Sequence, residues 1–145
     1  FEPGEYEVNN IPVQSHAIRL NTENLDESVN IYSIISEGMT ICYLDEISKI
    51  TIPANITESI GKIDILVCLS DDSSDKSVES INSLLSSLDP KILIIAEKNS
   101  NQDTTEIYQK LIKGLGHSVE DSVINANITK SSISDALKVV NLRKS

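Results

Sequence analysis

The chain has 145 residues, of which 39% are hydrophobic and 23% charged, with a formal net charge of −10. This size suits one domain around one core, and the aliphatic content exceeds that of disordered chains. The 12 basic residues lie singly or in short pairs such as Arg143-Lys144, so no electropositive track exists to neutralise phosphates and nucleic acid is not expected as a partner. No apolar run approaches the roughly 18 residues of a membrane span. With no leader peptide legible either, the expectation is a soluble, cytoplasmic protein without membrane association.

Partial alternation of Ile11, Val13, Ile18 and Leu20 predicts a strand with an irregularity near His16. A polar loop from Asn21 to Asn30 follows. Two further strands, Ile31–Ile35 and Thr40–Leu44, are expected to be joined by a hairpin turn at Ser36-Glu37-Gly38-Met39, so the first third reads as an antiparallel β-meander. Beyond Pro53 the pattern changes. A short amphipathic segment spans Ile56 to Ile60, and the apolar run from Ile63 to Leu69 suits a strand covered on both faces.

Val78, Ile81, Leu84, Leu85 and Leu88 recur at spacings of three and four, which predicts a helix from about Ser74 to Leu88, started by Ser73, Ser74 or Asp75 and followed by Pro90. Lys91–Ile95 is a second buried strand. Asp103 and Glu106 form a capping-box pattern, with Ile107, Leu111 and Leu115 on one face of a helix stopped by Gly114 and Gly116. Strand, helix, strand and helix in this order form a βαβα unit, whose right-handed crossover makes the two strands parallel. The tail is read as a strand at Val123–Ile128, a turn or short helix from Lys130 to Ser134, and a last strand near Lys138–Leu142.

Cys42 and Cys68 lie inside apolar runs and are read as reduced core thiols rather than as a disulfide or metal pair. The sequons at Asn55 and Asn127 are read as chance occurrences.

The wording of several segments resembles one family. Pro3-Gly4-Glu5-Tyr6-Glu7, Asn30-Ile31-Tyr32, Met39–Leu44, Gly61-Lys62-Ile63-Asp64-Ile65-Leu66 and Pro90-Lys91-Ile92-Leu93-Ile94-Ile95 resemble, in order, segments of the small zinc-dependent hydrolase-like proteins of the metallo-β-lactamase superfamily. The resemblance implies an α/β fold, the αβ/βα sandwich of that superfamily, with a β-meander followed by the βαβα unit. It also implies that residues 1–145 form a single domain covering the later part of the fold, incomplete on its N-terminal side, because the family's His-x-His-x-Asp-His motif does not occur here.

The family's reaction uses hydroxide held on one or two metal ions, which requires imidazole and carboxylate ligands in fixed geometry. Where the family has Leu-Gly-Asp, this chain has Leu44-Asp45-Glu46, so Glu46 takes the place of the bridging aspartate. Where the family has its final histidine, Glu97 stands in Ile95-Ala96-Glu97-Lys98. Both are remnants of ligand positions on this reading, against the plainer reading of a solvated turn residue and an exposed pair with Lys98. His16 reads as a hydrogen-bonded strand residue before a ligand, and His117 as a helix-end residue. Asp71, Asp72 and Asp75 read as helix-capping carboxylates before a calcium or magnesium loop.

The expectation is thus a metallo-β-lactamase-like protein or half-domain without a complete metal site, catalytically inactive, with a structural or partner-binding role. Its expected partner is a second copy in a homo-oligomer or a complementary N-terminal half. The alternative is a zinc-dependent hydrolase whose metal-binding histidines lie outside this chain.

Overall fold

A computed structural model describes residues 3–19, 28–45, 50–70, 75–97, 105–116 and 121–143, with the backbone alone at 70, 75, 76, 97 and 105. Its centre is a seven-stranded sheet in which spatial order follows chain order. Strands β1 (Gly4–Val8), β2 (Ile11–Arg19), β3 (Ser28–Ser36) and β4 (Met39–Leu44) pair antiparallel, each with the next. Strands β5 (Ile65–Ser70), β6 (Ile92–Glu97) and β7 (Lys138–Leu142) then continue from β4 in parallel. Three helices complete the order: α1 (Ala54–Ile60), α2 (Asp75–Leu88) and α3 (Thr105–Leu115).

Local chemistry explains the meander. Two-residue turns join β1 to β2 and β3 to β4, and both central residues of each have positive φ: Asn9 at 51° with Asn10 at 63°, and Glu37 at 51° with Gly38 at 72°. Such turns match the right-handed strand twist, and asparagine and glycine enter this backbone region most easily. The Asn9-Asn10 turn makes β1 a strand in its own right, beyond the meander strands read from the sequence. No irregularity occurs at His16, because Val13 through Arg19 pair residue by residue with Ile34 through Ser28. The alternation is only partial because Ile11 and Val13 lie on one face of β2, followed there by the buried Ser15, whereas Ile18 lies on the other, in the helix-covered core.

The βαβα unit is present, with β5 and β6 adjacent and parallel. Helix α3 runs through Gly114 and ends at Gly116, whose φ of 72° is the left-handed stop that glycine supplies. In the tail the expected strand at Val123–Ile128 is corrected. Val123 makes only an isolated bridge to Leu142, and 121–137 crosses the sheet as irregular chain with one 3-10 turn at Lys130–Ser132.

The sheet has two unlike faces. One carries Ile18, Ile31, Cys42, Leu44, Leu66, Cys68, Leu93, Ile95 and Val139 into a core shared with Ile81, Leu84 and Leu88 of α2 and Ile107, Leu111 and Ile112 of α3. The other face holds a smaller cluster of Met39, Ile65 and Ile92, against which Ile128 and Ile133 of the tail pack. Strand β5, expected to be covered on both faces, is so only in part: Leu66 and Cys68 are fully buried whereas Val67 and Leu69 stay half-exposed.

Candidate functional site

Parallel strands end together, and their carboxyl ends form the edge where α/β folds assemble ligand sites. Here that edge is set by the register that puts Leu44 beside Cys68, Cys68 beside Ile95 and Ser70 beside Glu97. Asp45 follows Leu44 directly and is exposed. Glu97 is thus placed on this edge, at the last position of β6. Glu46, Asp71, Asp72, Ser73, Ser74, Asp103 and His117 lie outside the described residues, and Asp75 opens α2.

His16 does not join that edge. It sits on β2, beside Ile31 of β3, and four strand steps separate it from β6. At ~4.8 Å per step that is about 19 Å, against the ~2 Å bonds by which zinc holds its ligands. Its Nε2 is buried with no hydrogen-bond partner among the described residues, so the hydrogen-bonded role expected of this ring is not met at that atom.

Cys42 and Cys68 are free and buried on the helix-covered face. Burial pushes the Cys42 thiol up to about 12. Burial, and then the neighbouring Cys42, pushes Cys68 up as well. Metals bind thiolates, so two thiols held neutral in a core are poor ligands. Among the described residues no group of three histidine, cysteine, aspartate or glutamate side chains could hold a metal ion.

A second region is better formed. On the face away from the helices, paired residues align in rows across the strands. One row runs Tyr6, Val13, Ile34, Ile41, Ile65 and Ile92, and the next runs Ser15, Tyr32, Tyr43, Val67, Ile94 and Val140. Over β1 to β4 these rows floor a basin of about 580 Å³, with Val8 at its rim and Asp45 as the one charged residue lining it among the described residues. The rings of Tyr32 and Tyr43 lie 6.0 Å apart at 43°. Burial, the Asp45 charge, Tyr32 and a hydrogen bond with Asp45 raise the Tyr43 phenol pKa. Ser15 is 4% exposed, and its Oγ has no partner among the described residues.

Asp64 organises the opposite end of the parallel strands. Its carboxylate accepts hydrogen bonds from Lys130 Nζ at 2.9 Å to each oxygen and from the Thr40 amide at 2.9 Å. Its backbone carbonyl accepts from the amides of Lys91 and Ile92, both at 3.0 Å. Burial raises its pKa, but Lys130, the Thr40 amide and Lys62 outweigh that and lower it overall. The sequence quoted Asp64 only as wording; its spacing from Lys130 gives no local sign of the pair.

An antiparallel meander feeding a parallel β-α-β layer, with the described helices packed on one face, is one αβ layer pair of a layered sandwich. Compared with known proteins, the chain matches no family model and no curated protein. Among solved structures it is similar to a Thermotoga maritima protein of the metallo-β-lactamase superfamily, named for a provisional Zn-dependent hydrolase activity. The two share 18% identity with a TM-score of 0.72 over 100% of this chain and 71% of the other. The chain thus has the metallo-β-lactamase fold, of αβ/βα type. No helix among the described residues is long and apolar enough to cross a membrane.

Proposed function

We propose that this chain is a metallo-β-lactamase-like layer without a complete metal site, serving a structural or partner-binding role rather than hydrolysis. The observation that carries this reading is the largely apolar, tyrosine-bearing basin over β1 to β4, the kind of surface on which partner contact is most readily built. The donor chemistry supports it. Glu46 and Glu97 stand where the resembling family places ligands, His16 is strands away, and both thiols are held neutral.

Elemental analysis for zinc and manganese after purification from metal-supplemented medium tests the reading. The expected content is below about 0.1 ion per chain. A content of about one ion per chain that drops in Glu46→Ala, together with hydrolytic turnover, would instead establish the metal-dependent hydrolase.

A further inference from the structure

We infer that residues 124–136 form a strap that opens from the sheet as a unit of its own, fastened by Lys130 on Asp64, and that its opening uncovers the apolar rows of β5 and β6. The inference stands apart from the proposed function, since neither metal content nor a partner enters it. The strap lies on the sheet face away from the helices, between two fixed points. Before it, the Val123 amide donates to the Asn141 carbonyl and the Arg143 amide to the Val123 carbonyl, both at 2.9 Å. After it, the Lys138 amide donates to the Lys91 carbonyl at 2.9 Å. A segment of this length between held ends is an Ω-loop, a surface element packed by its own side chains.

Three features set the strap apart from what it covers. First, the described bonds of its backbone close within it: the Ser132 amide donates to the Thr129 carbonyl at 2.9 Å and the Thr129 amide to Ser132 Oγ at 3.0 Å. Lifting it leaves the parallel ladders of β5, β6 and β7 whole. Second, its apolar anchorage is small. Ile128 and Ile133 are half-buried and its other residues exposed, whereas Ile65 and Ile92 beneath are 4% and 3% exposed. Elements with few buried apolar contacts are those that open below the free energy of global unfolding.

Third, the fastener is of releasable strength. Lys130 Nζ lies 2.9 Å from each Asp64 oxygen, and the lysine side chain is 57% exposed. On opening, the ammonium passes into water, while the carboxylate keeps the Thr40 amide and the nearby charge of Lys62. A pair this exposed changes an equilibrium by only a few-fold. The row of Ile65 and Ile92 and the row of Val67, Ile94 and Val140 continue those that floor the basin, so opening extends that apolar floor toward β7.

Thiol labelling of Ile92→Cys tests this. Cys42 and Cys68 serve as references in the same chain, because both are buried on the helix-covered face and report opening of the whole fold. The introduced thiol is expected to react about 100-fold faster than either, at a rate nearly independent of urea below the unfolding transition, since lifting a strap exposes little surface. Adding Asp64→Asn is expected to raise that rate about fivefold. Hydrogen exchange read by mass spectrometry, with Ile92 in place, keeps the test usable if Ile92→Cys does not fold. There Ile81→Val, in the helix-covered core, is expected to speed the amides of α2 about fivefold and to leave those of 129–133 unchanged. Labelling of the introduced thiol at the rate and urea dependence of Cys42 and Cys68 overturns the inference. So does insensitivity to Asp64→Asn, or equal acceleration of α2 and 129–133 by Ile81→Val.

Discussion

Asp64 shows what a single side chain contributes to this fold. Its carboxylate ties Lys130, in the irregular tail, to the amide of Thr40 at the start of β4, with Lys130 57% and Asp64 14% exposed at the side chain. Because Lys130 is largely solvated, the ion pair itself is modest, and the hydrogen bond to Thr40 adds to it. Asp64→Asn is expected to cost about 1 kcal/mol in urea unfolding at neutral pH, and Asp64→Ala about 2 kcal/mol through the stranded Thr40 amide. The lowered folded pKa fixes the sign of the pH effect. The contribution is full above the unfolded carboxylate value of about 4 and is lost as pH falls through the folded value, so wild type and Asp64→Asn converge in acid.

The two cysteines make the opposite case. Their folded pKa values are raised, Cys42 to about 12 from 9.0, so the folded chain keeps protons that the unfolded chain releases above pH 9.0. Stability is full below that value and falls as pH rises, by about 1.4 kcal/mol per pH unit for each thiol that remains protonated in the fold. Equilibrium unfolding between pH 8 and 10 checks this. A thiol reagent at pH 8 is expected to label neither cysteine until urea unfolds the chain. Both thiols were legible as core residues, since each lies in an apolar run. The absence of a partner at His16 Nε2 among the described residues was not, because it depends on strands that meet only in the folded sheet.

At the level of elements, helices and hairpins follow from local rules, and their ends are where substitutions separate cleanly. In α3, Gly114 has helical backbone and open space where a side chain would stand, whereas Gly116 has φ of 72°. Gly114→Ala is expected to stabilise the protein by about 0.5–1 kcal/mol by restricting the unfolded chain and adding a better helix former. Gly116→Ala is expected to cost about 1 kcal/mol, because a Cβ disfavours that conformation. Thermal unfolding of the two variants, shifted in opposite directions, checks the assignment of the helix end. The sequence read both glycines as the stop because spacing alone cannot tell which one carries positive φ. The same limit applies to Val123–Ile128, where an apolar stretch looked like a strand. It has only one bridge, to Leu142, and a strand exists only where a neighbour offers a full ladder.

Across the whole molecule, the two sheet faces divide the labour. The helix-covered face holds most of the buried core and supplies stability. The other is covered by the tail over its parallel end and carries the tyrosine-lined basin over β1 to β4.

Sequence by itself determined the order of elements, the meander followed by the βαβα layer, the helix faces and the two core thiols. These follow from hydrophobic period and turn chemistry, which act over a few residues. The wording of the segments also pointed to the metallo-β-lactamase fold. What only the tertiary structure decided is which residues meet. It placed Lys130 on Asp64 across 66 positions of chain, His16 four strands from Glu97, and three tyrosines from β1, β3 and β4 in one basin. Such meetings depend on strand register, and register is set by packing of the whole sheet against its helices rather than by any local stretch.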